Sequence, residues 1–127
     1  MKTVYIEIPE ESWGIIFLYD YDMTDWNDMW AIMRSFGMSY KGADEAIRIL
    51  STSNTGMTIS NDDLRMSAIF ISNATSKGQW LNTVVHETAH AAAAISSYYD
   101  KPCSGEDFAY LSGFIFQKIM EEVADIR

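Results

Sequence analysis

The stretch Ser76-Lys77-Gly78-Gln79-Trp80-Leu81-Asn82-Thr83-Val84-Val85-His86-Glu87-Thr88-Ala89-His90-Ala91-Ala92-Ala93-Ala94 decides how the rest of the chain is read. Ser76 and Gln79 stand three apart, as a capping box requires, so a helix is predicted from there to about Tyr98. Residues four apart on an α-helix stack on one face. His86 and His90 can therefore aim ring nitrogens at a common point about 2.0–2.1 Å from each, the distance at which tetrahedral Zn²⁺ accepts them. Glu87 is turned by about 100° from His86 around the helix, which sets it beside such an ion without being a ligand. That is where a general base belongs. The chain has only two histidines and both lie here. Chance placement of two histidines on a helix is the competing account, and it leaves the spacing and the intervening Glu unexplained.

Two histidines and a water leave a tetrahedral ion one protein donor short, so the third must be a carboxylate or the single cysteine, Cys103. A third histidine six positions after His90 is excluded, because Ser96 stands there. Downstream, Ser104-Gly105-Glu106-Asp107 opens a second helix whose apolar positions Phe108, Leu111, Ile115, Ile119 and Val123 keep helical spacing. If Ser104 is the N-cap, Asp107 sits where a side chain bonds back to the cap N–H, which leaves Glu106 free. Glu106 also reaches further, and it is the expected third ligand. Asp107 is the alternative, and Cys103 a lesser one, since thiolate zinc sites recruit several cysteines. The rival account of both acids is that they complement the helix dipole. The run Ala91–Ala94 thins the metal helix, and Gly113 would let the second helix approach it closely. Tyr110, about 6 Å of rise beyond Glu106, is a candidate donor to a developing oxyanion, against the alternative of packing in the core.

Upstream, Val4, Ile6 and Ile8 alternate with Tyr5 and Glu7, a strand with one buried face, and Trp13–Tyr19 is a continuous apolar run suited to a second strand. Thr24 is the expected N-cap of an amphipathic helix through Trp26, Met29, Trp30 and Met33, ended by Gly37. A shorter helix is predicted from roughly Ala43 to Leu50. Met57-Thr58-Ile59 and Met66–Ile71, separated by the turn formers Ser60-Asn61-Asp62-Asp63, predict a hairpin or meander. The fold class expected is α+β, a small antiparallel or mixed sheet packed against helices and closed by a helical pair. With two prolines and seven scattered glycines there is no linker, so residues 1–127 read as one domain.

Eighteen acidic against nine basic residues leave a net charge of −9, which disfavours nucleic acid and anionic membrane surfaces as partners. The N-terminal residues turn acidic before any signal-peptide core appears, and one cysteine makes no disulfide framework. A soluble, cytoplasmic protein is expected. Asp20, Asp22, Asp25 and Asp28 read as a solvated face rather than a docking site for a basic partner. The tryptophans and methionines read as core rather than groove.

The His86-Glu87-x-x-His90 helix with a downstream Glu on a second helix resembles the small gluzincin zinc metallopeptidases, the minigluzincins, over Leu64 to about Met120. The segment Glu106-x-x-Ala109-Tyr110-Leu111-x-Gly113 resembles compact metallopeptidase-like proteins of phages and mobile elements, including relatives of the repressor-cleaving peptidases. The resemblance implies a zincin-like domain that hydrolyses a peptide or protein substrate, with one zinc on His86, His90 and Glu106. In such families the strand before the metal helix lies along the cleft and pairs with extended substrate, which would be Met66–Ile71. The expected chemistry is attack by a zinc-activated water, with Glu87 as base and Tyr110 as a second oxyanion donor. The alternative is a non-catalytic domain that uses zinc for folding or for assembly with a protein partner.

Overall fold

A computed structural model describes residues 1–123. Its elements, in chain order, are β1 (Lys2–Ile8), β2 (Trp13–Tyr19), α1 (Trp26–Ser35), α2 (Tyr40–Thr52), β3 (Gly56–Asn61), β4 (Met66–Ile71), α3 (Lys77–Tyr98) and α4 (Gly105–Glu122), with short 3-10 turns before β2 and α1. The four strands form one mixed sheet in the order β1-β2-β4-β3. β1 and β3 run antiparallel to their neighbours, and β2 and β4 are parallel to each other. The fold is α+β, as the sequence pattern leads one to expect.

Period-2 alternation divides the core between the two faces of this sheet. Ile6, Ile8, Trp13, Ile15, Phe17, Ile69 and Ile71 join Trp80, Val84, Ala91, Ala92 and Ile95 of α3 and Ile115 and Ile119 of α4. On the other face, Leu18, Ala68 and Phe70 join Met29 and Met33 of α1 and Ala43, Ala46 and Leu50 of α2. β2 is covered on both sides, which is why it reads as an unbroken apolar run rather than an alternating one. Full burial of side chains such as Phe17 and Phe70 stabilises by about 1.5–3 kcal/mol each. Trp13 and Trp80 are buried, and Trp26 and Trp30 pack against the second cluster, so the tryptophans serve the core.

The helix starts differ in detail from expectation. Asp22, not Thr24, is the capping side chain, and it caps the 3-10 turn Met23–Asp25 that leads into α1, whose own N-cap is Asp25. The Asp22 carboxylate accepts from the Thr24 N–H at 2.8 Å and the Thr24 hydroxyl at 2.6 Å, while the Asp25 carboxylate accepts from the Asp22 N–H. A charged acceptor outcompetes a hydroxyl for the first orphan donors, and these bonds hold the Asp22 carboxyl below its usual range. α2 begins three residues before Ala43, capped by Ser39, whose hydroxyl accepts from the Gly42 N–H. At α3, Ser76 caps as expected by accepting from the Gln79 N–H, but Gln79 reaches back past it to the N–H and hydroxyl of Thr75. Ser104 caps α4 without a side-chain bond, so the box with Asp107 does not form. Nor is Gly113 a close-packing point. It is exposed, and a Cβ built there meets nothing within 4 Å.

Strand order carries the correction that matters for function. β4 is interior, paired on both sides by β2 and β3, so Met66–Ile71 cannot receive a substrate strand. The free edge beside α3 is β3, one strand earlier in the chain. Among the described residues, no helix is long and apolar enough to cross a membrane.

Candidate metal centre

α3 lies across the sheet face that presents Gly56, Thr58 and Ser60 of β3, the residues paired with Ile71, Ile69 and Ser67 of β4. A shallow cleft of about 470 Å³ opens between helix and edge strand, lined by Gly56, Met57, Thr58, Ser60, His86, Glu87, His90 and Ala94. The approach is tight at one point. A Cβ on Gly56 would stand 2.8 Å from the Phe70 carbonyl oxygen, 2.9 Å from Glu87 Cγ and 3.0 Å from Thr83 Cγ2. Only glycine lets the helix sit this low over the strand. Gly56→Ala is expected to lower stability by about 1–3 kcal/mol, read from urea unfolding, because the backbone oxygen cannot yield without disturbing the β3–β4 ladder. A change under about 0.5 kcal/mol would show that helix and strand are loosely apposed.

Both imidazoles are exposed to this cleft, and their Nε2 atoms are 3.2 Å apart. Two nitrogens each about 2.05 Å from a tetrahedral zinc would be separated by about 3.3 Å. The pair is thus spaced as zinc requires, with no rearrangement. In the absence of an ion, the same distance is that of a hydrogen bond from one ring to the other, which holds the rings together.

Unlike the two exposed histidines, Glu87 is only 5% exposed. The Thr58 hydroxyl donates to Glu87 Oε1 at 2.8 Å and lies 3.0 Å from the Glu87 backbone oxygen. Oε2 is left on the histidine side, 3.9 Å from His86 Nε2. Beyond it, at the end of the sheet, Tyr21 Oη and Ser72 Oγ share a 3.0 Å hydrogen bond, and Ser72 Oγ donates to the Leu50 carbonyl. Burial pushes the Tyr21 phenol above its ordinary value; the Ser72 bond opposes this and the Glu87 charge adds to it.

No protein-family profile, curated protein or solved structure matches this chain.

His86, Glu87 and His90 are brought together; the other expected residues are not. Among the described residues, no three His, Cys, Asp or Glu side chains converge as a metal-holding group. Glu106 lies exposed in the first turn of α4. Cys103, also exposed, has its Sγ 3.7 Å from the Ala93 carbonyl, so the chain entering α4 runs beside the turn of α3 that follows His90. Asp107 points elsewhere, into a second cavity lined also by Ile95, Ser96, Tyr99 and Phe108. Tyr110 lines that same cavity, 76% exposed and stacked on Phe114, and is absent from the histidine cleft. Its place one turn along α4 from Glu106 does not suffice, because the helix turns the ring to the far side. Gly56, Thr58 and Ser60 were not singled out from sequence. Their signal is the period-2 placement of small and hydroxyl residues on one face of β3, legible only once β3 is known to be the edge.

Proposed function

We propose that the chain is a zinc-dependent peptidase of the gluzincin type, with His86 and His90 as ligands and Glu87 as general base; the third donor proposed is Glu106, which in this structure stands exposed in the first turn of α4 and does not converge with the histidines. The observation that carries this reading is the 3.2 Å spacing of two exposed imidazole nitrogens directly beside a buried, anchored carboxylate. A structural zinc site has no need of such a carboxylate. Asp107 is set aside as a ligand because it lines the other cavity. Bound zinc supplies a Lewis acid for a carbonyl oxygen and lowers the pKa of water toward neutrality.

The protein's own groups do the rest. Glu87 Oε2 takes the proton of an attacking water and delivers it to the leaving amine. β3, as an edge strand, offers unpaired backbone groups along which an extended peptide pairs, holding a scissile bond against the cleft. On this reading the substrate pairs with Gly56–Asn61 rather than with Met66–Ile71. The acidic surface favours basic peptides by steering. One exposed thiol and no disulfide partner suit a reducing cytoplasm.

The test is hydrolysis of an unstructured peptide library by the zinc-loaded protein, with thermal unfolding recorded before and after chelation. Cleavage that stops on chelation, with a small change in melting temperature, is expected, since two apolar clusters hold the fold independently of the cleft. Wholesale unfolding on chelation without any cleavage would assign zinc to folding or assembly instead.

A further inference from the structure

Glu87 carries two oxygens with different surroundings, and the difference comes from β3. Oε1 accepts the Thr58 hydroxyl at 2.8 Å, whereas Oε2 stands toward His86 at 3.9 Å. Thr58 is held in turn by its place in the β3–β4 ladder opposite Ile69, a fully buried residue. We infer that Thr58 is the positioning residue for the base: its hydroxyl pins Oε1 so that Oε2 is presented to the cleft, and it ties the base to the strand on which substrate pairs. This rests on the peptidase reading for its kinetic consequence, though not for its structural one.

Three features of the geometry support it. The side chain of Glu87 has four-bond reach and three rotatable torsions, so burial alone does not select one carboxylate orientation. A hydrogen bond to an ionised acceptor is about twice as strong as a neutral one and therefore orients as well as stabilises. The same hydroxyl also approaches the Glu87 backbone oxygen at 3.0 Å, a shared contact that fixes the height of the strand against this turn of α3. Loss of the hydroxyl frees the carboxylate to turn while leaving both histidines untouched, since neither touches Thr58 by any hydrogen bond among the described residues.

The experiment compares wild type with Thr58→Val, which keeps the branched shape without the hydroxyl, and Thr58→Ser, which keeps the hydroxyl. Zinc content, a high-resolution crystal structure and peptide hydrolysis are measured for each. In Thr58→Val, zinc content is expected to be unchanged, the Glu87 carboxylate to occupy more than one rotamer, and kcat to fall about ten- to a hundredfold with KM within about twofold. Thr58→Ser should restore the single rotamer and most of kcat. A single, unmoved Glu87 rotamer in Thr58→Val overturns the inference, as does an equal kcat. If wild type cleaves no peptide, the peptidase reading fails, and the rotamer comparison still decides what Thr58 does.

Discussion

Glu87→Gln is expected to leave a folded, zinc-binding protein whose peptide hydrolysis is lowered by about 10²–10⁴-fold, the range ascribed to a positioned proton acceptor. The substitution suits this chain well. Thr58 donates to Oε1, and an amide oxygen at that position accepts the same bond, so the cleft keeps its shape. Oε2 is replaced by an amide NH2, a donor that cannot take a proton from water. The effect should therefore fall on kcat with KM little changed, and stability should move by less than about 1 kcal/mol. Hydrolysis at the wild-type rate would mean that Glu87 is not the base, and its burial against β3 would then be purely structural.

His90→Ala is the second large effect, and it falls on the metal. Removing one of two ligands from a single helix should weaken zinc by more than the ~10–100-fold that a change outside the ligand shell costs. The fold should be nearly indifferent, because His90 is exposed and alanine is the best helix former. A stability change within about 0.5 kcal/mol is expected by urea unfolding of the metal-free protein. The combination of lost zinc and retained fold distinguishes an ion placed on a preformed scaffold from one that organises it. Zinc affinity equal to wild type would remove His90 from the site. Glu106→Ala, titrated alongside, assigns the third donor: weaker zinc keeps it on α4, and unchanged affinity gives the position to solvent.

Most of the architecture was legible in the residues because each element announces itself locally. β1 and α3 have clean periods of 2 and 3.6, Gly37 at φ +95° ends α1 as its position implies, and Ser76 caps α3. The pairing of β3 with β4 followed from turn chemistry, with Asn61 Oδ1 accepting the Leu64 N–H and Arg65 closing onto Asp62 within the bend. What was not legible is long-range. Whether β4 or β3 forms the edge depends on β2 inserting beside β4, a parallel pairing joined through two helices and another strand, and no local pattern in Met66–Ile71 encodes it. β4 reads the same whether one neighbour covers it or two.

The site divides along the same line. His86, Glu87 and His90 lie on one helix, so spacing alone determined their relation. Thr58 and Gly56 enter across the strand–helix gap and were invisible until that gap was known. Tyr110 illustrates the opposite error: axial distance along α4 placed it near the cleft, while its angular position, shared with Phe114, turned it to the other cavity. Rise decides how far a side chain is from a site, and azimuth decides whether it faces it.

The central claim is that the two imidazoles of α3 hold a metal ion. Elemental analysis of the native, untagged protein after exposure to zinc at neutral pH and removal of free metal tests it most directly. One zinc per chain is the expected result, retained in Glu87→Gln and lost in His90→Ala. Absence of stoichiometric zinc in the native protein would contradict the account and leave the 3.2 Å approach of His86 and His90 as a hydrogen bond between two surface side chains.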